Sequence, residues 1–306
     1  MKDVLEKYGL IPRRPEVIDS SMLKTFMDCP SKFYLRYVLG LVKSTPDHAE
    51  NAKFDWGTCW HFVMDAFYSN GRSLKDGLVA LEKNYPEYIT PTTDKRGRSK
   101  ERMVEAFFAF TEHWASQDEE YEILRGEQFF DVYSDEEDLR WAGRMDQIRR
   151  RTRTNKIRVW DFKTSSAMGD LYFTSHELGF QFPGYVWGAD LLIPGEDIEE
   201  ITVDVMYMVT RSFEFFRRTF RYDAFRKAEW VRNVRNILGR MERMLDDHLY
   251  NPGMWELNWN ECTRYGPCTY LGVHNIAPRG DTRLQILSND FMQRWWDPSN
   301  MEDDQE

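Results

Sequence analysis

Gly143-Arg144-Met145-Asp146 and, beyond an arginine-rich interval, Val159-Trp160-Asp161-Phe162-Lys163-Thr164 are the residues on which the fold turns. The second stretch, rich in β-branched and aromatic residues, predicts a strand over Lys156–Phe162. Alternate side chains of a strand share a face, so Asp161 and Lys163 point one way and Trp160 and Phe162 the other. Leu139–Arg149 predicts the preceding strand, and Arg150-Arg151-Thr152-Arg153-Thr154-Asn155 the polar turn between them. Pairing across that turn brings Asp146 towards Asp161. Two carboxylates on adjacent strands can hold Mg2+ or Mn2+ through hard oxygen ligands. A metal so held activates a phosphate and a water, and Lys163 beside it can stabilise developing charge or orient the water. Asp-x-Lys alone is a weak signal whose commonest meaning is an ion pair along a strand.

Working outward, Glu122–Tyr133 predicts a third strand, and the three together an antiparallel meander. Helical character follows over 177–192, where Gln181 and Tyr185, four apart, share a face and can hydrogen-bond towards the lysine or a phosphate. Glu200–Thr210 and Ser212–Tyr222 extend the sheet, and an amphipathic helix covers 223–249. Upstream, Ser20-Ser21 caps a helix carrying Met22, Leu23, Phe26 and Met27, and Pro30 separates it from a helical stretch over Ser31–Leu41. The polar segment 42–54 predicts a loop; helices follow at Trp56–Ser69, 73–83 and 100–117. On the first of these His61 shares a face with Asp65, although a lone helical histidine is more often a core residue than a ligand. An exposed basic loop over 91–101 carries Lys95, Arg96, Arg98 and Lys100. Helices, strands, helix, strands predict a mixed α/β domain with helical additions. Along the chain this divides into an arm (1–19), a helical region with Cys29 and His61 (20–118), a core (119–250), a cysteine-bearing C-terminal segment (251–296) and an acidic tail (297–306).

Composition narrows the function classes. The 306 residues are 42% apolar, with 11 Trp, 15 Tyr and 20 Phe, enough for a sizeable core. No run of about 18 apolar residues suggests a membrane span, and Met1–Lys7 lacks the apolar stretch of a signal peptide, so an intracellular protein is expected. The net charge of −10 excludes a surface that coats nucleic acid throughout but allows a local basic groove. Arg149, Arg150, Arg151 and Arg153 at the central turn are candidates for such a groove, with Lys156 and Arg158 beside them and Arg211, Arg217, Arg218 and Arg221 on the later hairpin. In a reducing compartment Cys29, Cys59, Cys262 and Cys268 are expected as thiolate ligands or buried thiols.

Five blocks in one order make the pattern specific. Ser20-Ser21-Met22-Leu23 with Cys29-Pro30 and Phe33–Tyr37, His61, Gly143–Asp146, Asp161–Thr164, and Gln181 with Tyr185 resemble the RecB-type branch of the PD-(D/E)xK nucleases. More closely, the chain is similar to phage-encoded and CRISPR-associated iron–sulfur exonucleases over most of residues 18–275. The resemblance implies a restriction-endonuclease-like mixed sheet flanked by helices, with the cysteine-containing C-terminal segment packing on an N-terminal helical part. It implies a divalent-metal-dependent deoxyribonuclease of the cytoplasm, a bacterial host cell if phage-encoded. The expected substrate is single-stranded DNA, attacked exonucleolytically, with replication, recombination or CRISPR proteins as partners. An endonuclease or flap nuclease is the alternative, and a non-catalytic DNA-binding scaffold a further one.

Residue by residue, the resemblance implies His61, Asp146, Asp161 and the Phe162 carbonyl as Mg2+ or Mn2+ ligands. It implies Lys163 as the group that positions or activates water, and Gln181 and Tyr185 as residues supporting the site and the DNA backbone. Glu127, on the preceding strand, is either near this site or a strand-edge carboxylate. The family often adds a [4Fe–4S] cluster; Cys29, Cys262 and Cys268 match three of its ligands, but His274 stands where the fourth cysteine is expected. Three readings stand: a three-cysteine, one-histidine cluster, a Zn2+ site, or no metal. Cys59 is read as a core cysteine.

Overall fold

The computed structural model describes residues 2–44, 48–92, 94, 97–209, 212–264, 266–276 and 280–299. Lys95, Arg96 and Arg211 and the acidic residues Met301–Glu306 lie outside them. The N-terminal elements are α1 (Lys2–Lys7), α2 (Ser20–Asp28), α3 (Pro30–Phe33), a π turn at Tyr34–Val38 and β1 (Leu41–Lys43). Helices α4 (His48–Ser69), α5 (Leu74–Asn84) and α6 (Lys100–Asp118) follow. Strands β2 (Tyr121–Arg125), β3 (Gln128–Ser134), β4 (Leu139–Met145), β5 (Gln147–Arg151) and β6 (Ile157–Ser165) come next. Then come α7 (Tyr172–Glu177), α8 (Gln181–Leu192), β7 (Glu200–Met208), β8 (Phe213–Arg221), α9 (Ala224–His248), α10 (Leu271–Ile276), α11 (Gly280–Asp290) and β9 (Phe291–Gln293). No helix among the described residues is long and apolar enough to cross a membrane.

The chain forms two compact units, one of residues 1–46 with 231–297 and the other of 47–230 with 298–306. The expected helical region 20–118 is therefore divided between them. In the first unit, β1 pairs antiparallel with β9, Leu41 opposite Gln293. The Tyr270 hydroxyl donates to the Leu41 carbonyl at 2.6 Å, and Phe33 and Tyr34 pack on Trp255. The C-terminal cysteine segment thus folds onto the N-terminal helices, as expected. The N-cap of α2 is Asp19 rather than a serine: its carboxylate accepts the Met22 amide at 2.8 Å, a stronger acceptor at the positive end of the helix.

The second unit is built on a five-stranded sheet of order β2-β5-β6-β7-β8. β5 and β6 are antiparallel, β6 and β7 parallel, and β7 and β8 antiparallel. A parallel pair needs a long crossover, and α7 and α8 supply it. Trp160 and Phe162 face the α4–α6 side, where Trp56, Trp60, Phe107 and Phe110 complete the core. The expected meander is present but bent. β2 pairs with β5, Arg125 opposite Ile148, whereas β3 and β4 pair only with each other, from Gln128 opposite Met145 outward. One long hairpin thus leaves the sheet at Gly126–Glu127 and returns at Asp146. The segment 42–54, expected as a loop, contains the last two residues of β1 and the start of α4.

Helix α8 approaches the bent hairpin closely because Gly184 has no side chain. A Cβ there would stand 2.5 Å from Trp141 Nε1 and 2.9 Å from Trp230 Cζ2, and Trp141 is fully buried. Gly184→Ala is expected to destabilise the protein by about 1–3 kcal/mol through overpacking. A lowered urea midpoint with unchanged m-value checks this.

Candidate active site

Four side chains from three elements converge where the hairpin re-enters the sheet. His61 comes from α4, Asp146 from the junction of β4 and β5, and Asp161 and Lys163 from one face of β6. His61 Nδ1 lies 3.0 Å from Asp146 Oδ1, and the Phe162 amide donates to Asp146 Oδ2 at 2.5 Å. Lys163 Nζ donates to Asp161 Oδ1 at 3.0 Å and stands 2.9 Å from Oδ2. Asp146 is 7% exposed and Asp161 1%. Pairing in the sheet therefore does what the strand pattern predicted, and it sets Trp160 and Phe162 on the opposite face. The main-chain group of Phe162 that Asp146 engages is its amide, a different atom from the carbonyl expected as a metal ligand.

Burial opposes every charge in this cluster, and the partners decide the outcome. Burial lowers the His61 pKa, but the Asp146 carboxylate more than restores it, and the net direction is up. Asp146 is held below its ordinary value because His61 and Lys163 outweigh its burial. Asp161 is pushed up to about 6, burial prevailing over the attraction of Lys163. Lys163 stays above its ordinary value because Asp161 and Asp146 outweigh burial.

Glu127 sits on the outgoing leg of the bend opposite Asp146. Its amide donates to Asp65 Oδ1 at 3.1 Å, which ties the bend to α4, and its carboxylate accepts from Arg144 at 3.3 Å. Burial first, then the Asp146 charge, raises it to about 7. The structure thus places Glu127 within electrostatic reach of Asp146 and His61. Gln181 Nε2 donates to the Tyr185 hydroxyl at 2.9 Å across one turn of α8. Gly143 admits that tyrosine: a Cβ at Gly143 would lie 2.8 Å from Tyr185 Cε1.

Two neighbours carry no sequence signal. Tyr172 is raised mainly by burial, with Lys163 and Asp161 also acting on it. His176 stacks on Phe182 and is lowered to about 4 by burial, then by Lys163, which keeps it neutral. Both lie on α7, a helix of six residues, too short for a periodic pattern.

The basic groove expected at the β5–β6 turn is corrected by the structure. Arg149 is fully buried, its guanidinium 4.2 Å from the Tyr68 ring and 4.0 Å from that of Trp160, and cannot reach a phosphate. Arg150 faces Glu122, Arg151 binds Glu120, and Arg158 binds Glu200. Arg153 is exposed, but this turn is the far end of the strands, about 20 Å from Asp161 at the rise of a β-strand. In the earlier loop, Arg98 is buried against Asp94 and Lys100 pairs with Glu82.

Cys29, Cys262 and Cys268 lie in the first unit as free thiols, as does His274. The Cys262 thiol is raised by burial and then by Cys268 and Cys29, a sign of proximity. His274 Nε2 is 3.5 Å from Ser31 Oγ. Among the described residues no three or more His, Cys, Asp or Glu side chains stand arranged to hold a metal ion. Cys59 is a core residue, 1% exposed and pushed up to about 12 by burial.

Residues 20–272 match the family model of the PD-(D/E)XK nuclease superfamily. A crystal structure described as a “Putative exonuclease” from Eubacterium rectale shares the fold: TM-score 0.52 at 14% identity, over 87% of this chain and 90% of that one. The solved structure SSO0001 aligns at 13% identity and TM-score 0.33, over 78% of this chain and 83% of that one. No curated protein matches the chain in sequence.

The raised Glu127 carboxyl has a stability consequence. The unfolded chain ionises this group above its ordinary 4.5, the folded chain only near 7, so folding loses stability as pH rises through that window. Glu127→Gln should therefore stabilise the metal-free protein by about 1–3 kcal/mol at pH 8 and little at pH 4. Urea unfolding at the two pH values checks the sign.

Proposed function

The chain belongs to the PD-(D/E)XK nuclease superfamily, and from that premise we propose that it is a divalent-metal-dependent deoxyribonuclease that degrades single-stranded DNA from an end. The observation that carries this reading is the convergence of His61, Asp146, Asp161 and Lys163 in one buried cluster. The donor set suits Mg2+ or Mn2+ by its chemistry, although these side chains are not drawn together into a metal cage. Asp161 offers a buried carboxylate whose Oδ2 has the Lys163 ammonium 2.9 Å away, and Asp146 and His61 supply further oxygen and nitrogen donors. When bound, the ion supplies Lewis acidity to a phosphate oxygen and to the attacking water.

The chain's own residues do the rest. Lys163 is held as an ammonium by two carboxylates and offers donors to a phosphate oxygen as negative charge grows there. Tyr185, oriented by Gln181, supports the same face. Support for single-strand preference and for a place in phage or CRISPR-type replication, recombination or DNA processing comes from the five-block resemblance. With Mn2+ and end-labelled DNA, the protein is expected to shorten linear single strands faster than duplex and to spare circular single strands. Asp161→Ala and Lys163→Ala are expected to lose at least about a hundredfold in rate. Cleavage of circles would shift the reading to an endonuclease. Equal activity in all three proteins, or none in the wild type, would overturn it.

For Cys29, Cys262, Cys268 and His274 we propose a bound iron–sulfur centre, on the strength of the same resemblance and of the thiols sharing one unit. Anaerobically purified protein is then expected to contain iron and to show broad visible absorbance that Cys262→Ser abolishes. Zinc in place of iron would reassign the site, and neither metal would leave these as buried thiols.

A further inference from the structure

The sheet register carries the catalytic face beyond the catalytic strand. Asp161, Val203 and Arg218 form one row across β6, β7 and β8, and Lys163, Val205 and Phe216 form the next. Adjacent strands stand about 4.8 Å apart, so Arg218 and Phe216 lie about 10 Å from the catalytic pair on the same face. Helix α7 crosses here. Its Tyr172 senses Lys163 and Asp161, while its Phe173 ring is 6.4 Å from those of Phe216 and Phe220. The Arg218 guanidinium rests 4.4 Å from the Phe173 ring.

Rings on an outer strand ordinarily just cover the strand. Two observations set this group apart. Phe216 is 36% exposed, and the flanking Leu171 and Leu178 are 73% and 75% exposed, so the patch is open. Arg217 is bound inside by Asp118 and Asp204, and Arg221 by Glu199, whereas among the described residues no carboxylate pairs with Arg218. Glu214, the next outward residue on this face, closes the patch on one side. An exposed guanidinium resting on an aromatic ring, beside a second exposed ring and continuous with the candidate catalytic face, matches a ligand that alternates flat bases with phosphates.

We propose that Phe173, Phe216 and Arg218 form a subsite that stacks an unpaired nucleobase and neutralises a phosphate of the single strand whose scissile bond lies at Lys163. This rests on the nuclease reading above. Stacking of this kind is strand-specific, because paired bases do not expose their faces, and so it supplies a physical basis for single-strand preference.

The test uses the full chain with Ca2+ in place of Mn2+ and a short fluorescein-labelled oligothymidylate, read by anisotropy. Phe216→Ala is expected to weaken binding about tenfold, within the range for one stacked base, and Phe216→Trp to retain it. Arg218→Gln is expected to reduce the salt slope by about one. An abasic residue scanned along the oligonucleotide should, at one position, weaken the wild type as much as Phe216→Ala does and weaken that variant no further. Wild-type DNA binding and cleavage with additive losses at every abasic position, or with affinity unchanged in Phe216→Ala, would overturn the subsite and leave the nuclease reading standing. A wild type that neither binds nor cuts DNA would overturn both.

Discussion

The site depends on one short contact, the hydrogen bond from the Phe162 amide to the Asp146 carboxylate. Asp146 lies where the chain passes from the β3–β4 pair into the main sheet, a place where ladder bonding is interrupted. Its side chain replaces the missing ladder partner with a carboxylate, a strong acceptor. The other oxygen of the same carboxylate meets His61. One residue therefore fixes a strand junction and orients a helix while placing its carboxylate in the candidate site. An apolar residue could not do this, and an amide would lack the charge that raises the His61 pKa.

The cost of that arrangement is a cluster of buried charge. In the metal-free protein it is balanced internally, His61 against Asp146 and Lys163 against Asp161. Burial pushes Asp161 up to about 6, whereas His61 and Lys163 outweigh burial at Asp146 and hold it below its ordinary value. Burial first, and then the Asp146 charge, pushes Glu127 across the bend up to about 7. Burial makes the cluster costly when empty and strengthens its electrostatics when loaded.

Much of this was legible in the sequence, for identifiable reasons. Period-two alternation placed Asp161 with Lys163 and sent Trp160 and Phe162 to the core, because a strand allows no other arrangement. Helical spacing joined Gln181 to Tyr185. The bend was not legible: Met145-Asp146-Gln147 contains no glycine or proline, and the strand breaks there because its partners change. Nor was the fate of Arg149. Arg149, Arg150, Arg151 and Arg153 look alike in sequence, yet pairing turns Arg149 inward, where Tyr68 and Trp160 sandwich it. A sequence counts charges and does not say which are already neutralised.

That distinction governs how an acidic chain can engage a polyanion. Most of the arginines that suggested a basic groove are bound to carboxylates of their own chain: Arg150, Arg151, Arg158, Arg217 and Arg221. Releasing such a cation to a phosphate would strand its partner, so the pairs contribute little net attraction. What matters is the uncompensated cation within reach of the catalytic face. Arg218 meets that condition by register alone: alternation along β8 turns Arg217 inward to Asp204 and Arg218 outward to Phe173. Local electrostatics at the site can thus favour a phosphate while the net charge of −10 opposes indiscriminate binding elsewhere.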